Sequence, residues 1–227
     1  METIRVSPSS LSIFEDCPRC FWLQMVEKIR RPRGVFPSLP GGMDALIKNY
    51  FDQYRAQGTL PPELEGVVEG GLFADQAVLD GWRNWRKGLT CDIPGLNAQL
   101  SGAVDDCLVT VSGKYIPLDY KTHGYGPKEG HGEKYYQSQL NCYALLLEKN
   151  KRPVESFAYL VYYVPREMKG NGDIHFSIEV QKIQTNVAEA ENLVRQAVNS
   201  LSQAIPQRAS ECVYCDWFEQ QIEKRVA

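Results

Sequence analysis

Two Cys-x-x-Cys pairs stand almost at opposite ends of the chain, Cys17-Pro-Arg-Cys20 and Cys212-Val-Tyr-Cys215. Four thiolates in two such pairs suit a zinc ion or an iron–sulfur cluster. A centre that takes all four closes a loop of nearly the whole chain, so any fold compatible with it must bring the first helix back to the tail. Such a centre is a structural clip and leaves the chemistry elsewhere. The other three cysteines, Cys91, Cys107 and Cys142, are isolated in sequence and read as small buried residues. An odd total of seven argues against a complete disulfide framework.

The 227 residues are 43% hydrophobic and 23% charged, an ordinary globular balance. A chain of this length buries about 70% of the surface it exposes when unfolded, so it needs no staple merely to form a core. No apolar run approaches the roughly 20 residues of a membrane helix. The N-terminal METIRVSPSS has no apolar stretch after its basic residue, unlike a secretory signal. These features and the reduced cysteines place the chain in the cytoplasm. A net charge of -3 does not advertise nucleic-acid binding, but local fields steer ligands whatever the total. The basic group Lys28, Arg30, Arg31 and Arg33 is such a local feature, either a solvated loop or a phosphate contact.

Hydrophobic spacing predicts one helix from Ser9 to about Ile29, a loop from Arg31 to Gly42, and helices over Met43–Gln57 and Asp75–Lys87. The pattern changes near residue 98. Ala98–Val111 and Lys114–Lys121 read as two strands joined by a Ser-Gly turn, a hairpin. A glycine-rich loop, Thr122–Gly132, leads to a helix over Lys134–Lys149. Strands over Ser156–Val164 and His175–Ile183 and a helix over Val187–Ala204 follow. The order predicts an α/β core with a mixed sheet flanked by helices, preceded by a helical region. No linker divides the chain. We expect one domain, with a helical region at about 9–90, a core at about 98–205 and a cysteine tail at 206–227.

Gly102-Ala-Val-Asp-Asp106 and Ile116-Pro-Leu-Asp-Tyr-Lys-Thr122 carry the chemistry. Asp119 and Lys121 are two apart on a strand, so their side chains leave one face. Asp105, on the partner strand, approaches Asp119 from the side. Two converging carboxylates repel unless a cation joins them or one stays protonated. A hard divalent ion, Mg²⁺ or Mn²⁺, resolves this with oxygen ligands, and the Tyr120 carbonyl is a further candidate ligand. The fitting reaction is phosphodiester hydrolysis, with Lys121 orienting water or stabilising charge on the phosphorus centre. An ion pair on the wet face of a hairpin is the bland alternative. On the following helix, Gln139 and Tyr143 lie four apart on one face, with Gln137 offset. The loop before it carries His123, Lys128, His131 and Lys134, placed to close over nucleic acid or simply to face water.

G-x-x-D, a hairpin turn, apolar-D-Y-K-T and then Q-x-x-x-Y resemble the core of PD-(D/E)XK nucleases. They resemble most the RecB-like exonucleases, a group that includes the nuclease domains of RecB and AddB and the CRISPR-associated RecB-like exonucleases. The resemblance implies a restriction-endonuclease-like core and a DNA exonuclease or flap-type nuclease. It implies metal binding by Asp105 and Asp119, a catalytic Lys121, and Gln139 and Tyr143 lining the site. Asp106 competes with Asp105 for the first role, and spacing from Gly102 favours Asp105. In this family an early helix usually supplies a histidine ligand. Gly41-Gly-Met-Asp-Ala-Leu-Ile47 matches its surroundings with Asp44 in that place, so Asp44 is either a metal ligand or a helix cap. Some RecB-like nucleases staple their termini through a [4Fe–4S] centre with one N-terminal and three C-terminal cysteines. Here Cys17, Cys212 and Cys215 match and Cys20 stands in for the fourth. The resemblance therefore implies a [4Fe–4S] cluster, and the two-plus-two split keeps zinc as the alternative. The implied partners are single-stranded DNA or duplex ends and a repair, phage or CRISPR-adaptation protein, with no membrane. A nuclease fold that binds nucleic acid or protein without cutting is the rival function.

Overall fold

The computed structural model describes residues 3–32, 34 and 38–226. The chain opens with β1 (Ile4–Val6), α1 (Pro8–Asp16), α2 (Pro18–Met25) and α3 (Ser38–Gln57). One helix was expected over 9–29, and two are found. The residue before a proline is pushed out of the helical region, and Cys17, preceding Pro18, is extended at φ -164°, ψ 104°. Ser7 caps α1 in a reciprocal pair with Ser10. α3 starts at Ser38, inside the segment expected to be a loop. Arg33 of the basic group lies outside the described residues.

β2 (Gly71–Leu72), α4 (Gln76–Arg83), β3 (Leu89–Asp92) and β4 (Ala98–Gly102) follow. The strand expected over 98–111 divides here. β4 joins β1 and β3 in a three-stranded sheet of order β1-β4-β3, and the chain reaches β5 (Asp106–Val109) only after a break. The reason is local: the Val104 N–H leaves the ladder to bond the Trp82 carbonyl at 3.1 Å. Gly102, just before the break, is packed so closely that a Cβ would lie 2.8 Å from a methyl of Leu146.

β5 turns into β6 (Tyr115–Thr122), forming the expected hairpin, and α5 (His131–Lys149) returns the chain across the sheet. β7 (Phe157–Met168), β8 (Ile174–Gln184), α6 (Val187–Ser200) and α7 (Val213–Val226) complete the chain. The second sheet has the order β2-β5-β6-β7-β8, with β6 and β7 parallel and its other pairs antiparallel. The architecture is thus the anticipated α/β mixed sheet flanked by helices. One face packs Ala158, Leu160 and Tyr162 against Leu140, Leu147 and Val194 of α5 and α6. The other packs Leu118, Tyr120 and Val161 against Ile47 and Phe51 of α3. Among the described residues, no helix is long and apolar enough to cross a membrane.

Candidate active site

Strand alternation fixes the face that Asp106 reaches, and the break before β5 leaves Asp105 to the other. Asp106 pairs with Leu118 in register and turns, with Tyr120, toward α3. There it is fully buried and saturated. It accepts bonds from Arg55 at 2.6 and 2.7 Å, from Arg83 at 2.9 Å and from the Tyr120 hydroxyl. Asp105 lies in the break before β5 rather than on a strand, and its carboxylate meets that of Asp119. Arg83 also donates to the Asp105 carbonyl at 2.7 Å, so the buried arginine cluster holds the backbone that aims Asp105.

Asp119 is fully buried, and the Lys121 ammonium lies against its Oδ2. That contact leaves Oδ2 without a well-directed hydrogen bond. The Gln139 amide connects the group, donating to Asp119 Oδ1 at 3.2 Å and to the Tyr143 hydroxyl at 2.6 Å while accepting from Lys121 at 3.3 Å. Lys121 also lies 4.5 Å over the Tyr136 ring, a residue not singled out from sequence. Gln137 turns away to Asn141 and the Gln184 carbonyl. The side chain of Tyr120 faces α3, so only its backbone borders the site.

Burial pushes the Asp119 carboxyl up, the Lys121 ammonium pulls it down and Asp105 pushes it up again, leaving it at about 7 against an ordinary 3.8. Burial alone would lower the Lys121 ammonium, but Asp119 and Asp105 hold it above the usual lysine range. Two carboxylates in contact, one of them fully buried, fit a divalent cation.

Asp44 lies within α3, six residues past its start, and does not cap it. It bonds Lys48 at 2.8 Å, and Lys48 bonds Asp105 at 2.8 Å. A lysine therefore stands between Asp44 and the carboxylate pair. Sequence reading missed Lys48, although its i+4 spacing from Asp44 is the usual mark of such a pair. His123 in the loop and His131 at the start of α5 approach ring to ring at 4.9 Å, and the Tyr135 ring lies 4.7 Å from His131.

The four predicted cysteines converge away from this site. Their sulfurs all lie within 4.8 Å of one another, and all four residues are buried. It is the one group of three or more such ligands found among the described residues. Arg31 of the basic group packs here, 3.0 Å from Asp16 and 4.6 Å over the Tyr214 ring, so it is no free phosphate contact. Cys91, Cys107 and Cys142 are buried free thiols, as expected, and burial pushes Cys91 to about 11 and Cys142 to about 12.

A solved structure described as SSO0001 is similar over 96% of this chain and 86% of its own, at 16% identity and a TM-score of 0.49. No curated protein matches the chain. The family model described as the PD-(D/E)XK nuclease superfamily matches residues 43–219. That span is more than three quarters of the sequence and contains both carboxylates, the lysine and the glutamine, and the chain belongs to the PD-(D/E)XK nuclease superfamily.

Proposed function

We propose that this protein is a Mg²⁺- or Mn²⁺-dependent DNA nuclease of the RecB-like group, acting as an exonuclease or flap-type enzyme. The observation that carries this reading is the buried Asp119 carboxylate in contact with Asp105 beside the Lys121 ammonium. Asp105, Asp119 and the Tyr120 carbonyl would hold the ion, with Asp44 reaching it only if Lys48 moves aside. The bound ion supplies Lewis-acid polarisation of the phosphate and a more acidic water. Lys121, oriented by Gln139, places positive charge where the phosphoryl oxygens gain negative charge. Tyr143 fixes the Gln139 amide in the orientation that serves both Asp119 and Lys121.

A groove of about 820 Å³ runs from Gln139 and Tyr143 past Lys134, Arg86 and Arg5. Trp85 and Tyr135, on its walls, are 79% and 58% exposed. Arg86 lies over the Trp85 ring and Lys134 over the Tyr135 ring, and cations beside exposed aromatics suit a nucleic-acid strand, with phosphates on the cations and bases against the rings. Glu15 and Asp16 also line it and limit how many phosphates it takes. The RecB-like resemblance supports DNA ends as the substrate and a repair, phage or CRISPR-adaptation partner.

The test is cleavage of end-labelled single- and double-stranded DNA with Mg²⁺ or Mn²⁺. We expect activity in wild type, about 10²- to 10³-fold less in Lys121→Ala, and retained DNA binding in that variant. Wild-type DNA affinity without turnover would select the non-cutting binding module instead.

A further inference from the structure

We infer that the four cysteines hold a single tetrahedral zinc ion rather than an iron–sulfur cluster. The reading stands on the sulfur positions and is independent of the nuclease assignment. Cys20 Sγ lies 3.6 Å from Cys212 Sγ and 3.7 Å from Cys215 Sγ, and Cys17 Sγ lies 3.9 Å from Cys215 Sγ. Zinc–thiolate bonds of about 2.3 Å in a tetrahedron place their sulfurs about 3.8 Å apart. These three edges bracket that value, and all four sulfurs lie within 4.8 Å of one another.

A cubane cluster makes a different demand. Each thiolate bonds its own iron. Any two thiolates are then separated by an edge of the cube plus two outward-splayed iron–thiolate bonds. Four sulfurs that all lie within 4.8 Å of one another leave no room for four irons and four sulfides between them. The [4Fe–4S] centre implied by the RecB-like resemblance therefore does not fit the cysteines of this chain.

The local backbone explains the tight cage. Each pair sits at the start of a helix: Cys17 caps α2 and Cys20 lies in its first turn, while Cys212 precedes α7 and Cys215 lies in its first turn. Both pairs thus point their thiolates to the positive end of a helix, two short knuckles facing each other. The Ala209 N–H donates to Cys17 Sγ at 3.4 Å. The Arg31 Nε, buried without a hydrogen-bond partner, sits in the same cluster. Four thiolates around a divalent ion carry a net charge of about -2, and these donors and dipoles offset it. The family match begins at residue 43, so the knuckle that completes the tetrahedron precedes it. Zinc has no accessible redox couple, so this staple senses no oxidant through the metal.

The test is elemental analysis of the full-length protein purified anaerobically without chelator, with acid-labile sulfide measured alongside. We expect one zinc per chain, no sulfide and no visible colour. Four irons with four sulfides and a brown protein would overturn the inference, as would a single iron or no bound metal. A second measurement needs no variant that risks misfolding. Protein from cells grown with cobalt and little zinc should show the intense visible d–d bands of tetrahedral Co²⁺ and a sulfur-to-cobalt charge-transfer band. Cobalt-loaded protein without those tetrahedral and charge-transfer bands would sink it.

Discussion

Asp119 concentrates the electrostatics of the candidate site, because its folded-state pKa of about 7 lies above its ordinary 3.8. The fold without metal prefers the protonated acid. That preference is fully present below the ordinary value and is lost as pH rises through about 7. Metal-free protein should therefore melt at a falling temperature across that window, and Asp119→Asn should flatten the decline in a calorimetric pH series. A divalent ion must displace the same proton, so Mn²⁺ affinity should climb with pH and level off above about 7. An affinity independent of pH through that range would refute the assignment. Lys48 competes with the ion for Asp105. Lys48→Met should bind Mn²⁺ about tenfold more tightly, since it removes a positive charge beside the ligands. Weaker binding by calorimetric titration would mean that Lys48 instead holds Asp105 in its ligating position.

At the level of elements, the join between the two sheets controls the site. α3 and α4 send Arg55 and Arg83 to the same buried carboxylate, Asp106, and Asp52 completes the cluster by binding Arg83 at 2.8 Å. Removing one partner of a buried ion pair leaves the other desolvated and unpaired. Arg55→Met should cost about 3 kcal/mol in urea unfolding, a typical loss for a broken buried pair. Because Arg83 also grips the Asp105 carbonyl, Arg83→Met should lower kcat more than it changes DNA affinity. Equal losses in both would show that the groove, rather than the carboxylate pair, had been disturbed. Alternation along the hairpin was legible in sequence and allowed only one of Asp105 and Asp106 to enter the site, while the spacing from Gly102 in the family resemblance favoured Asp105. The break at Val104 was not, because the partner that breaks the ladder is the carbonyl of Trp82 on α4. The short strand β1 was missed for the same reason, since it is defined by pairing with β4, far from it in sequence. β3 pairs with β4 across a short turn, and its four residues are too few to show a clear alternation.

Across the whole molecule, the cysteine cage links residue 17 to residue 215 and removes the loop entropy of almost two hundred residues from the unfolded chain. Closure of a loop that long contributes up to about 5 kcal/mol. Stripping the ion with a thiol-specific or strong chelator should therefore lower Tm by on the order of 10 °C. Added Mg²⁺ should not restore it, since a hard cation prefers oxygen ligands. Recovery with Mg²⁺ alone would place the stabilising ion at the carboxylates instead.

Residue spacing alone determined the local geometry. Asp119 and Lys121 share a face because side chains alternate along a strand, and Gln139 and Tyr143 share one because a helix repeats every 3.6 residues. Four cysteines in two short pairs likewise specified a common centre before any coordinates were known. Tertiary structure decided what depends on distant partners: that Lys48 stands between Asp44 and Asp105, that two arginines neutralise Asp106, and that the four sulfurs close to the spacing of one ion. The physical reason is that periodicity fixes the direction of a side chain relative to its own element. What lies at its tip is set by the packing of elements that local spacing does not encode.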